Sequence, residues 1–210
     1  MSIWTQDVSP AGWARVSYVR DLPDGRRFAN DSRGFLYLIG SNNEPQVYAN
    51  VAAAFPNAVY NRLESGFIRF VFHPEFARNG LLYTVHAERS PGNPKTPDFI
   101  PPGFTLKDVT YHNVITEWHA TNPAANVFEG TRRELLREAH VVANLTHPMG
   151  AVEFNPFAKP GDPDCGLLTP AAAITDSATA GDRTRTPRVR RSASTRSSLP
   201  SCVSIHAVRR

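Results

Sequence analysis

The sequence predicts an all-β fold, and three observations carry that prediction. Its apolar runs are short, rich in Val, Ile, Phe and Tyr, and often alternate with polar residues. Turn-forming pairs such as Asp-Gly, Asn-Asn, Asn-Gly, Gly-Asn and Asn-Pro punctuate them. Eighteen prolines against thirteen glycines further disfavour long helices.

In chain order, the runs RVSYVRDLPDG, RGFLYLIGSNNEPQVYANV, FIRFVF, LLYTVHAE, VITEWHA, AHVVANL and GAVEFNP read as strands with their turns. Between LLYTVHAE and VITEWHA, TPDFIPPGFTLKD reads as an inserted loop. RRELLREA, residues 132–139, has helix-forming residues, but β-branched residues follow at once, so a helical turn at most is expected there. Tyr111-His112 and Trp118-His119 belong to an alternating strand pattern.

Composition and charge narrow the function classes. Hydrophobic residues make up 41% of the 210, enough for a packed core. No run of 18 apolar residues is present, so no membrane-spanning helix is expected, and the N-terminus lacks a signal-peptide pattern. The net charge of +4 invites a nucleic-acid reading, but residues 169–210 hold eight Arg and two Asp, leaving 15 basic and 17 acidic side chains in residues 1–168. The basicity therefore sits in a tail without interleaved aromatics, and nucleic acid is not an expected partner. Cys165 and Cys202 lie 37 positions apart, a spacing that suggests no metal site and leaves a disulfide open without favouring it.

The composition breaks near residue 168. Three regions follow: an N-terminal extension over 1–14, an all-β region over 15–168, and a basic tail over 169–210 expected to be disordered, because it has too few apolar residues to offset ordering entropy. An out-of-frame reading would account for the Arg/Ser/Ala bias of the tail. With one set of codons, restoring a single C turns GLLTPAAAITDSATAG into a glycine followed by LLYAGGGDHGFSNGG, a strand and a Gly- and Asp-rich turn.

The most specific stretch is GFIRFVFHPEFARNGLLYTVHAE, residues 66–88. Strict alternation puts Phe67, Arg69 and Val71 on one face and Ile68, Phe70 and Phe72 on the other. Pro74 ends the strand at His73, Asn79-Gly80 supplies a positive φ, and Phe76 is expected to plug a gap between neighbouring sheets. His73 is expected to be a hydrogen-bonded structural residue.

These residues form the corner of a β-propeller blade, and FHPEFARNGLLYTVH is similar to the FHPxFxxNGxxY motif of the glucose/sorbosone dehydrogenase family. RDLPDGRRFANDSRGFLYLIG resembles the first blade of that family, and NLTHPMGAVEFNPFAKPGDPDCGLL its loop-to-strand segment containing a histidine. The resemblance spans roughly residues 15–168. It implies the first two to three blades of a six-bladed propeller and oxidation of a sugar or small polyol with hydride transfer to pyrroloquinoline quinone, with calcium as the accompanying ion. It also implies that His147 accepts the substrate proton; members of the family are commonly periplasmic or secreted, but the sequence itself leaves the localisation open.

Pro148 and Ala151 depart from the polar residue and Arg that the better-known glucose oxidisers carry around that histidine. In the family, most cofactor arginines and calcium ligands come from later blades, so this chain is expected to bind neither cofactor and to be inactive alone. The alternative is a non-enzymatic propeller used for binding. Asp31, Asp162 and Asp164 read as turn formers rather than calcium ligands, and the sequons at Asn30 and Asn144 are short enough to arise by chance.

Overall fold

The computed structural model describes residues 15–59, 66–141, 149–159, 161–171, 189–190 and 206–207. Strands β1 (Val16–Asp21), β2 (Arg27–Asp31), β3 (Phe35–Ile39) and β4 (Pro45–Asn50) pair in chain order as one antiparallel sheet. A single helical turn, α1 (Val51–Ala54), follows, and the Asn50 side chain accepts the Ala53 N–H at its start. The second sheet is β5 (Phe67–Phe72), β6 (Leu81–Arg89), β7 (Tyr111–Ala120) and β8 (Gly130–His140), with the short turn α2 (Phe76–Asn79) between its first two strands. The third is β9 (Ala151–Phe154), β10 (Leu168–Ala171), β11 (Val189–Arg190) and β12 (His206–Ala207).

The sheets stack through two apolar layers, one on each face of the second sheet. Phe28, Leu36, Leu38 and Tyr48 of the first sheet meet Phe67, Phe70, Phe72, Leu82 and Trp118 of the second. On the other face, Val71, Tyr83, Val85 and Ile115 meet Val152, Phe154 and Leu168 of the third. A four-stranded meander buried on both faces by like neighbours is the arrangement of propeller blades.

The initial strands of the sheets are also joined by polar contacts. Glu153 accepts from Arg20 (3.2 Å) and Arg69 (2.5 Å), and the Arg69 guanidinium lies 3.4 Å over the Tyr18 ring.

Two expectations are corrected. Strict alternation in FIRFVF fails, because a β-bulge between Phe67 and Arg69 leaves Ile68 as the extra residue. Phe67 thereby joins Phe70 and Phe72 in the layer against the first sheet, while Ile68 and Val71 face the other way. RRELLREA forms no helical turn, since all eight residues lie in β8. Ten-residue β7, buried almost throughout, needs a partner for its outer backbone groups, and that tertiary demand overrides local helix propensity. A second bulge lets consecutive Leu135 and Leu136 both pack toward the third sheet.

Beyond the composition break, β10 continues to Ala171, and the dipeptides β11 and β12 extend its ladder. The rest of the 169–210 tail lies outside the described residues. Cys165 is disulfide-bonded, a pairing that the sequence alone did not favour, and the chain's other cysteine, Cys202, also lies outside them.

Candidate functional site

The FHPEFARNG corner is structural throughout. The buried His73 ring accepts the Glu75 N–H at Nδ1 (3.0 Å), with Asn79 Nδ2 at 2.8 Å. Asn79 Oδ1 accepts the Leu81 N–H, and Phe76 packs edge-on against Phe72 with centroids 4.6 Å apart. Gly80 has φ 64°, and a Cβ there would lie 2.4 Å from the Ala120 carbonyl oxygen, so the position demands glycine twice over. His73 has no lone pair left for chemistry.

In a meander, successive turns fall at opposite sheet ends. The corner therefore lies at one end of the second sheet, and the β6–β7 loop with the last residues of β8 lies at the other. At that second end a charged cluster is built across β6, β7 and β8. Arg137, 1% exposed, donates from Nη1 to Glu88 (2.8 Å) and from Nε and Nη2 to Glu134 (2.7 and 2.9 Å). Lys95 and Asn93 of the β6–β7 loop add bonds to Glu134 and Glu88 respectively.

Burial opposes ionisation of Glu88, but hydrogen bonds from His86, Arg137 and Asn93 outweigh it and hold its carboxyl far below the usual range. Glu134 shifts the same way: burial is outweighed by Arg137 and Lys95. His86 and His112 are instead pushed down by burial, so both imidazoles are neutral at pH 7. A carboxylate only accepts, so His86 donates from Nε2 to Glu88 (3.1 Å), and His112 Nδ1 accepts from Arg137 (2.8 Å). Phe55 stacks on His86 with centroids 4.0 Å apart and closes it from solvent. A cavity of about 340 Å³ opens beside this cluster, between Ala54–Asn57 and the outer strands of the second sheet.

His147 lies outside the described residues, as do Pro148 and the sequon at Asn144. The ends of its connector are fixed: β8 stops at His140, and Met149, 1% exposed, sits in the layer beside β9. The connector thus leaves the second sheet at the end that holds the charged cluster. Asp31 pairs with Arg33 across the turn, Asp162 accepts the Lys159 N–H, and Asp164 accepts from Asn155. All three carboxylates brace turns, and among the described residues no group of three potential metal ligands converges. Asn30 is fully buried and donates to Ser17 and to the Phe67 carbonyl, which makes its sequon inaccessible.

Sequence reading missed Arg137, Glu88, Glu134 and His86. Their only signal is charged and polar residues on strands, which also describes a solvated face. The pairing of three distant strands turns it into a buried network.

Three stacked four-stranded meanders define part of a β-propeller. No family model matches the sequence, and no curated protein matches it closely. Solved structures narrow the fold: one described as "glucose dehydrogenase" aligns at TM-score 0.55 and 15% identity over 77% of this chain and 41% of its own. Another crystal structure of a glucose dehydrogenase aligns at 0.54 and 15% over 77% and 38%. The fold is therefore the one those dehydrogenases have, and the chain spans about two fifths of their length.

Proposed function

We propose that this chain forms the opening blades of a sugar dehydrogenase, in which a sugar hydroxyl is oxidised by hydride transfer to pyrroloquinoline quinone. The observation that carries the proposal is the fold shared with glucose dehydrogenases over 77% of the chain.

His147 is the proposed acceptor of the substrate hydroxyl proton. A general base needs both a free lone pair and access to the substrate. His73, His86, His112 and His140 are buried, and exposed His119 pairs with Leu81 at the corner end of the sheet. Pro148, directly after His147, limits the backbone freedom of the proposed base.

The described residues do not themselves suit the cofactors. The quinone carries three carboxylates and calls for several uncommitted cations, but Arg20 of β1 and Arg69 of β5 are both held by Glu153. Calcium needs six to eight oxygen ligands, and none of the described carboxylates cluster for it. No step is derived through either group, and the chain alone is proposed to be inactive.

The test is dye-linked aldose oxidation with added pyrroloquinoline quinone and calcium, on protein from the gene with its downstream frame restored. Activity is expected there and not in the 210-residue chain, with a loss of at least about a hundredfold in His147→Ala. Activity untouched by that substitution removes His147 from the mechanism. No oxidation of any sugar favours the non-enzymatic binding reading.

A further inference from the structure

The cavity beside the charged cluster has a composition that selects a ligand class. Its walls bring together Phe55 from the segment after α1, Asn93 and Lys95 from the β6–β7 loop, and Thr116, Arg132 and Glu134 from β7 and β8. Neither lining carboxylate is available to a cation. Glu134 is held by Arg137 and Lys95, and Glu88 by Arg137, His86 and Asn93.

Arg133 is paired with Glu117 (2.6 Å). Arg132 has no carboxylate partner among the described residues. Its guanidinium rests over the rings of Phe55 (5.5 Å) and Trp118 (5.8 Å) and makes one long contact with the Ala54 carbonyl (3.4 Å). One positive charge is therefore left over at the mouth. Thr116 also lines the wall; it is 1% exposed, and its Oγ1 has no hydrogen-bond partner among the described residues.

We propose that this cavity binds a small monoanionic carboxylate bearing hydroxyl groups, with Arg132 engaging the carboxylate and Thr116 Oγ1 bonding a ligand hydroxyl. A guanidinium offers two parallel N–H groups that match the two oxygens of a carboxylate. A single uncommitted cation balances a monoanion and leaves a phosphate dianion half-compensated. The volume, at the small end of ligand sites, suits a compact molecule of sugar-acid size. Asn93 at the rim adds an amide that already reaches toward Glu88 (2.9 Å). The assignment rests on the cavity alone and does not require the chain to be a dehydrogenase.

Isothermal titration of the full chain with sodium gluconate, at fixed ionic strength in chloride, tests it. Saturable binding with one site per chain is expected, at least tenfold tighter than for glucose or phosphate. Arg132→Gln should weaken it at least tenfold, and Arg132→Lys less. Thr116→Val, which keeps the side-chain shape, should weaken it severalfold, while Arg78→Gln at the far corner leaves it unchanged. Circular dichroism of each variant confirms the fold. Equal affinity for glucose or phosphate, no binding above the chloride background, or full binding in folded Arg132→Gln each overturns the proposal.

Discussion

Replacing Arg137 by Met keeps the length of the side chain and removes its charge from the centre of the buried network. Four interactions vanish: two bonds to Glu134, one to Glu88 and one to His112. Breaking a buried pair from one side costs about 3–5 kcal/mol, because the orphaned charge stays desolvated. Lys95 remains on Glu134, and His86 and Asn93 remain on Glu88, so the lower end, about 3 kcal/mol, is expected. Set against a total stability of roughly 5–15 kcal/mol, that is a large fraction.

The pH dependence gives the sharper test. Glu88 and Glu134 both titrate below their ordinary value of 4.5 in the folded protein. Their contribution is therefore complete above that value and is lost as pH falls through the lower folded values. Without Arg137 the depression is reduced but not abolished, because His86 and Asn93 still hold Glu88 and Lys95 still holds Glu134, so the penalty should be full at about pH 7 and shrink below about pH 4.5. Urea unfolding of both proteins, followed by tryptophan fluorescence across that range, measures it. A loss below about 1 kcal/mol, or one that does not vary with pH, would refute a desolvated, charge-coupled network.

Gly80→Ala should cost about 2–4 kcal/mol in the same assay, adding a backbone clash to the left-handed penalty, whereas Gly92→Ala should cost only about 1 kcal/mol. The contrast follows from the space around each position: an added Cβ would lie 2.4 Å from a carbonyl oxygen at Gly80 and in open space at Gly92, with φ 64° and 79° respectively. Equal losses would refute it. Resequencing the DNA for residues 168 and 169 should reveal a one-base deletion, with the alternative frame staying open and encoding further strands with Gly, Asp and Asn turns. Pro170, paired with Val152 inside β10, has no N–H for a ladder, and the restored frame places Ala there. A clean read with an alternative frame that closes within a few codons would show the tail to be genuine.

The all-β class, the strand runs of the first sheet and of β5 to β7, and the FHPEFARNG corner were legible from residues alone, because each rests on local rules. Alternation selects strands, Pro74 cannot continue a ladder, and Gly80 takes a conformation that other residues resist. The resemblance to sugar dehydrogenases was legible at the same corner, which braces the fold without touching the candidate site.

Tertiary structure decided the rest. Whether Phe67 or Ile68 faces the first sheet depends on a bulge forced by pairing with β6, and RRELLREA becomes a strand because β7 needs a neighbour. The charged cluster depends on Glu88, His112 and Arg137 meeting across three strands separated by 49 residues of chain between the outer pair. Burial then sets the charge states of those groups, because desolvation and partner geometry arise only when distant strands come together.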